Sequence, residues 1–242
     1  MRKQRSAGAR QVSSYGCRER QTKMTDRILR ILFPPKCILC RKVLSENETD
    51  LCRDCRENQP EFGNHKIKLS FLAQWTGVWY YKENVRQSIL RYKFGNRRSY
   101  AAGYGRLLAM KLMKEGLEDT DLLTWAPISR RRKHRRGYDQ TELLGQAVAA
   151  ELGMELTPTL LKVRHTKPQS TMGGLSQRKA NILGAYRVID PDLVKGKRIL
   201  LLDDILTTGA TASECARILL TAGAKEVNLA TLAVASHETQ RN

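Results

Sequence analysis

The 242-residue chain lacks an apolar run of the roughly 18 residues needed to cross a membrane as a helix, which excludes a helical integral membrane protein. Its N-terminus is basic (Arg2, Lys3, Arg5, Arg10), but no apolar stretch follows, so a secretory signal is excluded and the cytoplasm is the expected compartment. No G-x-x-x-x-G-K-[ST] element occurs, which removes the P-loop nucleotide hydrolases. There is no internal repeat. Acidic residues are scarce: 24 Asp and Glu stand against 43 Lys and Arg, a formal charge of +19. That excess favours polyanionic partners such as nucleic acid, phosphorylated metabolites or an anionic membrane surface, and it says nothing about fold. With 41% hydrophobic residues the chain has the material for a core, so disorder throughout is excluded.

Cysteines are also not spread as a disulfide framework would require. Of six, four fall within 37–55. Cys37-Ile38-Leu39-Cys40 and Cys52-Arg53-Asp54-Cys55 are two C-x-x-C knuckles, and together they can complete a tetrahedron around Zn²⁺. Four thiolates leave no open position, so the expected role of Cys37, Cys40, Cys52 and Cys55 is structural. A redox pair is the alternative, but a thioredoxin-like site needs one such motif at a strand-to-helix turn. Cys215 is expected in the core.

Residues 1–23 carry seven basic residues and one acidic one with few apolar positions, and are expected to form a disordered basic tail. A periodic pattern follows Met24 (Ile28, Leu29, Ile31, Leu32, Phe33) and stops at Pro34-Pro35. Residues 24–62 read as a zinc-binding module and 63–242 as an α/β domain. In the latter, strands are expected over 75–81, Leu122–Pro127, Leu160–Val163, Tyr186–Ile189, Ile199–Leu202 and Val227–Val234. Helices are expected after a cap at Asn84, over 99–115, over Thr141–Leu152 and over 211–222, with a long polar loop over 164–178. Alternating strands and helices imply a parallel sheet with right-handed crossovers.

Two segments carry the chemistry. In Ile199–Thr211 an apolar strand runs into Asp203 and Asp204, and a turn of Thr207, Thr208, Gly209, Ala210 and Thr211 opens a helix. Amides and hydroxyls of such a turn hold a phosphate, Gly209 permits close backbone approach, and the carboxylates can accept from vicinal ribose hydroxyls. Asp203 and Asp204 acting only as caps is the competing reading. The second segment, Arg130-Arg131-Arg132-Lys133-His134-Arg135-Arg136, reads as a basic loop at the carboxyl edge of the sheet, where ligands of parallel sheets bind. One pyrophosphate cannot use six cations, so Arg130, Arg131, Arg132, Lys133, Arg135 and Arg136 are candidates for a nucleic-acid backbone as well. A solvated charge run is the plain alternative.

The Asp203–Thr211 segment resembles the PRPP-binding motif of type I phosphoribosyltransferases, and departs from it at Leu206, where most active enzymes carry a small residue. Further motifs follow in order: Phe33–Cys40, Leu51–Cys55, Tyr92-Lys93-Phe94-Gly95, Ala126-Pro127-Ile128-Ser129, Arg135–Gln140, Arg164–Gln169 and Leu175–Asn181. Together they resemble the ComF/ComFC late-competence family over about 24–236, with Tyr138 and Asp139 where many members have Phe and Asn. The resemblance implies a type I phosphoribosyltransferase-like parallel sheet with helices on both faces, preceded by a small four-cysteine zinc knuckle. It implies a competence protein that binds PRPP or a related phosphorylated ribose, with Mg²⁺ held largely by the ligand's pyrophosphate, and single-stranded DNA. It would assist DNA uptake or processing in natural transformation, recruited to the inner face of the membrane by other DNA-uptake proteins. The alternative is an active phosphoribosyltransferase with an unknown acceptor, the 164–178 loop closing over its site; a zinc-ribbon regulator without ligand is a third class.

Overall fold

The structure is a computed structural model and describes residues 32–63, 68–166 and 175–235. The expected disordered tail, the apolar pattern over 24–31 and the 167–174 part of the expected loop lie outside the described residues.

The elements run α1 (Arg53–Asn58), β1 (Trp75–Tyr80), α2 (Glu83–Phe94), α3 (Tyr100–Glu115), β2 (Leu122–Trp125), α4 (Arg130–Arg136), α5 (Gln140–Leu152), β3 (Leu160–Lys162), α6 (Leu175–Ile182), β4 (Tyr186–Val188), α7 (Pro191–Val194), β5 (Arg198–Leu206), α8 (Ala210–Thr221) and β6 (Glu226–Val234). Four strands form a parallel sheet in the order β1-β6-β5-β2. A parallel sheet covered on both faces needs near-continuous apolar strands, and β5 supplies Ile199 to Leu202, all fully buried. Successive side chains alternate. Leu200 and Leu202 join Leu108, Leu112, Leu144 and Val148 of α3 and α5. Ile199 and Leu201 join Cys215 and Leu219 of α8, with Ile182 and Tyr186 beyond. The expected core position of Cys215 is thus met.

The cysteine turns belong to the same core. Cys37, Ile38, Leu39 and Leu51 pack in one cluster with Trp79, Val85 and Ile89. Ser88 Oγ donates to the carbonyl of Ile38, and Arg91 donates to the carbonyls of Ile38 and Leu39. Arg106 forks onto Asp50 with contacts of 2.8 and 2.6 Å. Gly103 makes room for that pair, since a Cβ there would lie 2.7 Å from Asp50 Oδ1.

Several sequence expectations need correction. Leu160–Val163 and Tyr186–Ile189 do not extend the parallel sheet. They shorten to β3 and β4, which pair antiparallel as a separate ribbon. Ahead of β3 the chain meets the edge of the main sheet at Leu156, in an isolated parallel bridge to Leu123, and β3 then pairs with β4 instead. The basic segment is not a loop but helix α4. Arg and Lys are good helix formers, and Gly137 in the left-handed region (φ +77) ends the run. Helix α6 begins at Leu175, inside the expected 164–178 loop. Asn84 is not a cap: Lys82 holds that position and Asn84 lies in the first turn of α2. Instead, Asp139 caps α5, accepting from the amides of Thr141 and Glu142.

Helices α3 and α5 meet at Gly105, where a Cβ would lie 2.4 Å from the Cβ of Ala147 and 2.8 Å from its backbone carbon. Backbone cannot yield as a side chain can. Gly105→Ala is therefore expected to destabilise the fold by about 1–3 kcal/mol despite its better helix propensity. Thermal unfolding checks this; a melting temperature at or above the parent's would contradict it.

Candidate functional site

The carboxyl edge of β5 gathers the chemistry. The strand extends through Leu206, further than the expected Leu202, so Asp203 and Asp204 lie within it. The Asp204 amide donates to Asp203 Oδ1 at 2.8 Å. Asp203 retains some surface, yet its carboxyl is enclosed by protein. Burial, then the neighbouring Asp204, push its pKa up to about 7, while Lys93 and Lys162 act in the opposite sense. Asp204 makes a 2.7 Å ion pair with Lys93 of α2, both side chains being largely buried.

The turn after β5 has the expected form. Gly209 sits at φ +72 and α8 starts at Ala210. Leu69 covers Gly209 so closely that a Cβ would stand 2.9 Å from its methyl. The Thr208 hydroxyl is buried and has no hydrogen-bond partner among the described residues, in a place where burying a polar group unpaired is costly. Thr207 and Thr211 flank it, each partly exposed.

Helix α4 sorts the six cations rather than presenting them together. Lys133 is paired with Glu142 at 2.7 Å. Arg132 and Arg136, one turn apart, are half-buried. Arg132 donates to the carbonyl of Thr166 at 2.9 Å, and Arg136 lies 4.7 Å above the Phe94 ring while donating to Gln140. Burial lowers the pKa of both and the charge of Asp204 acts in the opposite sense, so these two guanidiniums belong to the field of the β5 edge. Arg130, Arg131 and Arg135 are exposed.

Two lysines escaped the sequence reading. Lys93 sits in the Tyr92–Gly95 motif, which offered a signal. Lys162 is only 8% exposed and donates to Tyr186 Oη at 3.0 Å. Alternation in Leu160-Leu161-Lys162 puts it on the same inward face as Leu160, a visible but unread hint. Beside it, Ser129 Oγ and His165 Nδ1 are 3.0 Å apart.

The sulfur atoms of Cys37, Cys40, Cys52 and Cys55 all lie within 4.8 Å of one another. Cys40 and Cys52 are 3.6 Å apart. A tetrahedral Zn²⁺ about 2.3 Å from each thiolate implies sulfur separations of about 3.8 Å, so the donor set fits. Cys40 is exposed and the other three are buried.

Comparison with known proteins agrees with this arrangement. A double zinc ribbon domain profile matches residues 28–65, and a phosphoribosyl transferase domain profile matches 142–242. The chain is 35% identical over 222 residues to the DNA utilization protein YhgH of Salmonella typhi, covering 82% of this chain and 96% of that one. It is 26% identical over 220 residues to Competence protein F of Haemophilus influenzae, covering 81% and 96% respectively. It is 27% identical over 212 residues to Competence protein ComFC of Bacillus subtilis, covering 86% and 78%. A cysteine cluster of zinc-ribbon type, a parallel sheet ending in Asp203-Asp204 and a relative matched nearly end to end place this chain in the ComF/ComFC family of competence and DNA-utilisation proteins.

Proposed function

We propose that the chain binds a phosphorylated ribose of the PRPP type at residues 203–211 and single-stranded DNA along α4, as a factor in handling incoming DNA. The Thr208 hydroxyl carries the first half: buried in the turn after β5 and unpartnered, it is supplied with a partner by a phosphate oxygen. Thr207, Gly209, Ala210 and Thr211 complete the cradle, and Asp203 and Asp204 face the ribose hydroxyls. Mg²⁺ would arrive on the ligand's own pyrophosphate. Asp204 is already paired with Lys93, and burial and the neighbouring Asp204 raise the pKa of Asp203, so neither is a strong metal ligand by itself. Cys37, Cys40, Cys52 and Cys55 would hold a structural Zn²⁺, which supplies folding energy and no chemistry.

Replacing the exposed cations is the relevant DNA test, because Arg132, Arg136 and Lys133 already have protein partners. Arg130, Arg131 and Arg135 remain available to phosphates. Contacts to phosphate carry no base information, so binding should be nearly indifferent to sequence.

Three outcomes are expected. Asp204→Asn weakens PRPP binding by one to two powers of ten, because a charged hydrogen bond is worth about 1.5–3 kcal/mol; equal affinities in calorimetry would refute the ribose assignment. Protein purified without chelator contains one zinc per chain by elemental analysis, and stripping it lowers the melting temperature, since structural zinc contributes roughly 10 kcal/mol or more in small modules; a metal-free native protein would contradict this. The triple change Arg130→Ala, Arg131→Ala and Arg135→Ala makes the salt dependence of single-strand binding shallower by roughly two units, at about 0.7 per phosphate neutralised. Gel shifts at two salt concentrations read that slope, and an unchanged slope removes α4 from DNA binding.

A further inference from the structure

Phe94 is the last residue of α2, and it is 63% exposed, so the core does not hold its ring. What touches the ring is a cation. The guanidinium of Arg136 lies 4.7 Å from its centroid, and that guanidinium is fixed in turn by donating to Gln140 Oε1 at 2.6 Å. One guanidinium covers one face of a phenyl ring. A ring covered on both faces would not keep such exposure, so the second face is open. Tyr138, the aromatic next to α4, offers no comparable surface: it is 6% exposed, with Arg98 4.8 Å above its ring.

The chain after Phe94 turns away sharply and brings more cations. The Gly95 amide donates to the Arg91 carbonyl at 2.7 Å, and a Cβ at Gly95 would stand 2.7 Å from that same oxygen. No side chain therefore grows from position 95 beside the ring. Asn96 takes the left-handed region (φ +50), which Asn tolerates better than most residues. Arg97 and Arg98 follow, both exposed. Arg98 also donates to the Gly137 carbonyl at 3.4 Å, which ties this turn to the end of α4. Neither 93–101 nor 129–138 contains an Asp or Glu. Phe94 thus joins two cationic segments, 97–98 and 130–136, that are free of acidic residues.

Proteins that hold single strands without reading their sequence combine cations that follow the backbone with aromatic faces on which bases stack. The exposed stripe of α4 supplies only the first. A stack of guanidinium, phenyl ring and base supplies the second. A duplex keeps its bases stacked on one another and presents only their edges, so one open ring face suits an unpaired base. We propose that Phe94 is a base-stacking platform for single-stranded DNA, with Arg136 behind its ring and Arg97 and Arg98 carrying the phosphates of the strand beyond α4. The proposal rests on the reading of α4 as a single-strand surface and adds to it a contact with the bases.

Oligothymidylate and an abasic sugar-phosphate strand of the same length are the probes, titrated against the full chain by fluorescence anisotropy. The parent is expected to bind oligothymidylate about tenfold more tightly than the abasic strand, a factor of the order that one stacked base supplies. Phe94→Leu, an exposed change that keeps an apolar side chain, removes that preference: oligothymidylate binds about tenfold more weakly and the abasic strand as before. Phe94→Trp keeps the parent's preference. Salt separates stacking from charge, because stacking releases no counterions. Phe94→Leu leaves the salt slope unchanged, whereas the triple arginine change makes it shallower. Ultraviolet irradiation of the parent with oligothymidylate yields a cross-link that peptide mass spectrometry maps to Phe94, a readout that needs no variant to fold. Equal affinity of Phe94→Leu and parent for oligothymidylate overturns the proposal. So does an equal loss on both strands, which would make Phe94 a support for Arg136, and so does a cross-link confined to other residues. If the arginine triple keeps the full slope while Phe94→Leu loses the base preference, the α4 reading falls and the platform stands. If the slope drops and the preference persists, the platform falls and the α4 reading stands.

Discussion

The ion pair between Lys93 and Asp204 holds the molecule's functional parts to one another. It is 2.7 Å long, and its side chains are 16% and 13% exposed, so removing either partner strands a charge in a poorly solvated place. Lys93 is one of a short series on α2 that reaches in several directions. Ser88 and Arg91 grip the carbonyls of the first cysteine turn. Tyr92 donates to the Gln140 carbonyl at 2.7 Å, and its own carbonyl accepts from Tyr138 Oη. Phe94 carries the guanidinium of Arg136. Within two helical turns, α2 therefore touches the cysteine cluster, the start of α5, the cationic helix and the β5 edge. The first cysteine turn, held by Ser88 and Arg91, and Asp204, held by Lys93, are thus joined through one helix.

Much of this was legible in the sequence because it is local. The Ile199–Leu202 run can only be a strand buried on both faces, and a turn with Gly209 directly after it must open a helix. The two C-x-x-C turns announce their own geometry. What was not legible depends on partners distant in the chain. Leu160–Lys162 reads as well in a parallel sheet as in a ribbon; the choice is made by Tyr186–Val188, some twenty-five residues on. Helix α4 was hidden by its charge, since like charges one turn apart normally oppose a helix. The structure answers that repulsion by pairing Lys133 with Glu142 and laying Arg136 on Phe94. Lys93 and Lys162 were only hinted at, by a motif and by strand alternation, because the environments that single them out are built by other segments.

The net charge of +19 also reads differently once placed. Exposed cations such as Arg130, Arg131 and Arg135 set a screened, long-range attraction for polyanions. The half-buried Arg132 and Arg136 and the buried Lys162 act at short range toward Asp203 and Asp204, where the lower local dielectric makes each worth more. The cations of α4 thus divide into an exposed stripe, Arg130, Arg131 and Arg135, and a half-buried pair, Arg132 and Arg136, that feels the charge of Asp204.

Two departures from the family pattern are absorbed by packing. Leu206, where most active phosphoribosyltransferases carry a small residue, is 5% exposed and belongs to the core cluster with Leu201, Leu229 and Val234. Its bulk is spent on the interior, and it approaches Gly209 only to ordinary contact distance, 3.8 Å from where a Cβ would stand. Asp139, standing for the more usual Asn, is 3% exposed, and burial raises its pKa. Three amides hold it in place: Thr141 and Glu142 at the start of α5, and Ile128 just ahead of α4. An Asn carbonyl could accept the same bonds, but a carboxylate accepts them more strongly and gives the helix start a negative group. Asp139 therefore fixes α5 and the entry to α4 with one side chain. The positions of Arg132 and Arg136 relative to Asp204 follow from that anchor.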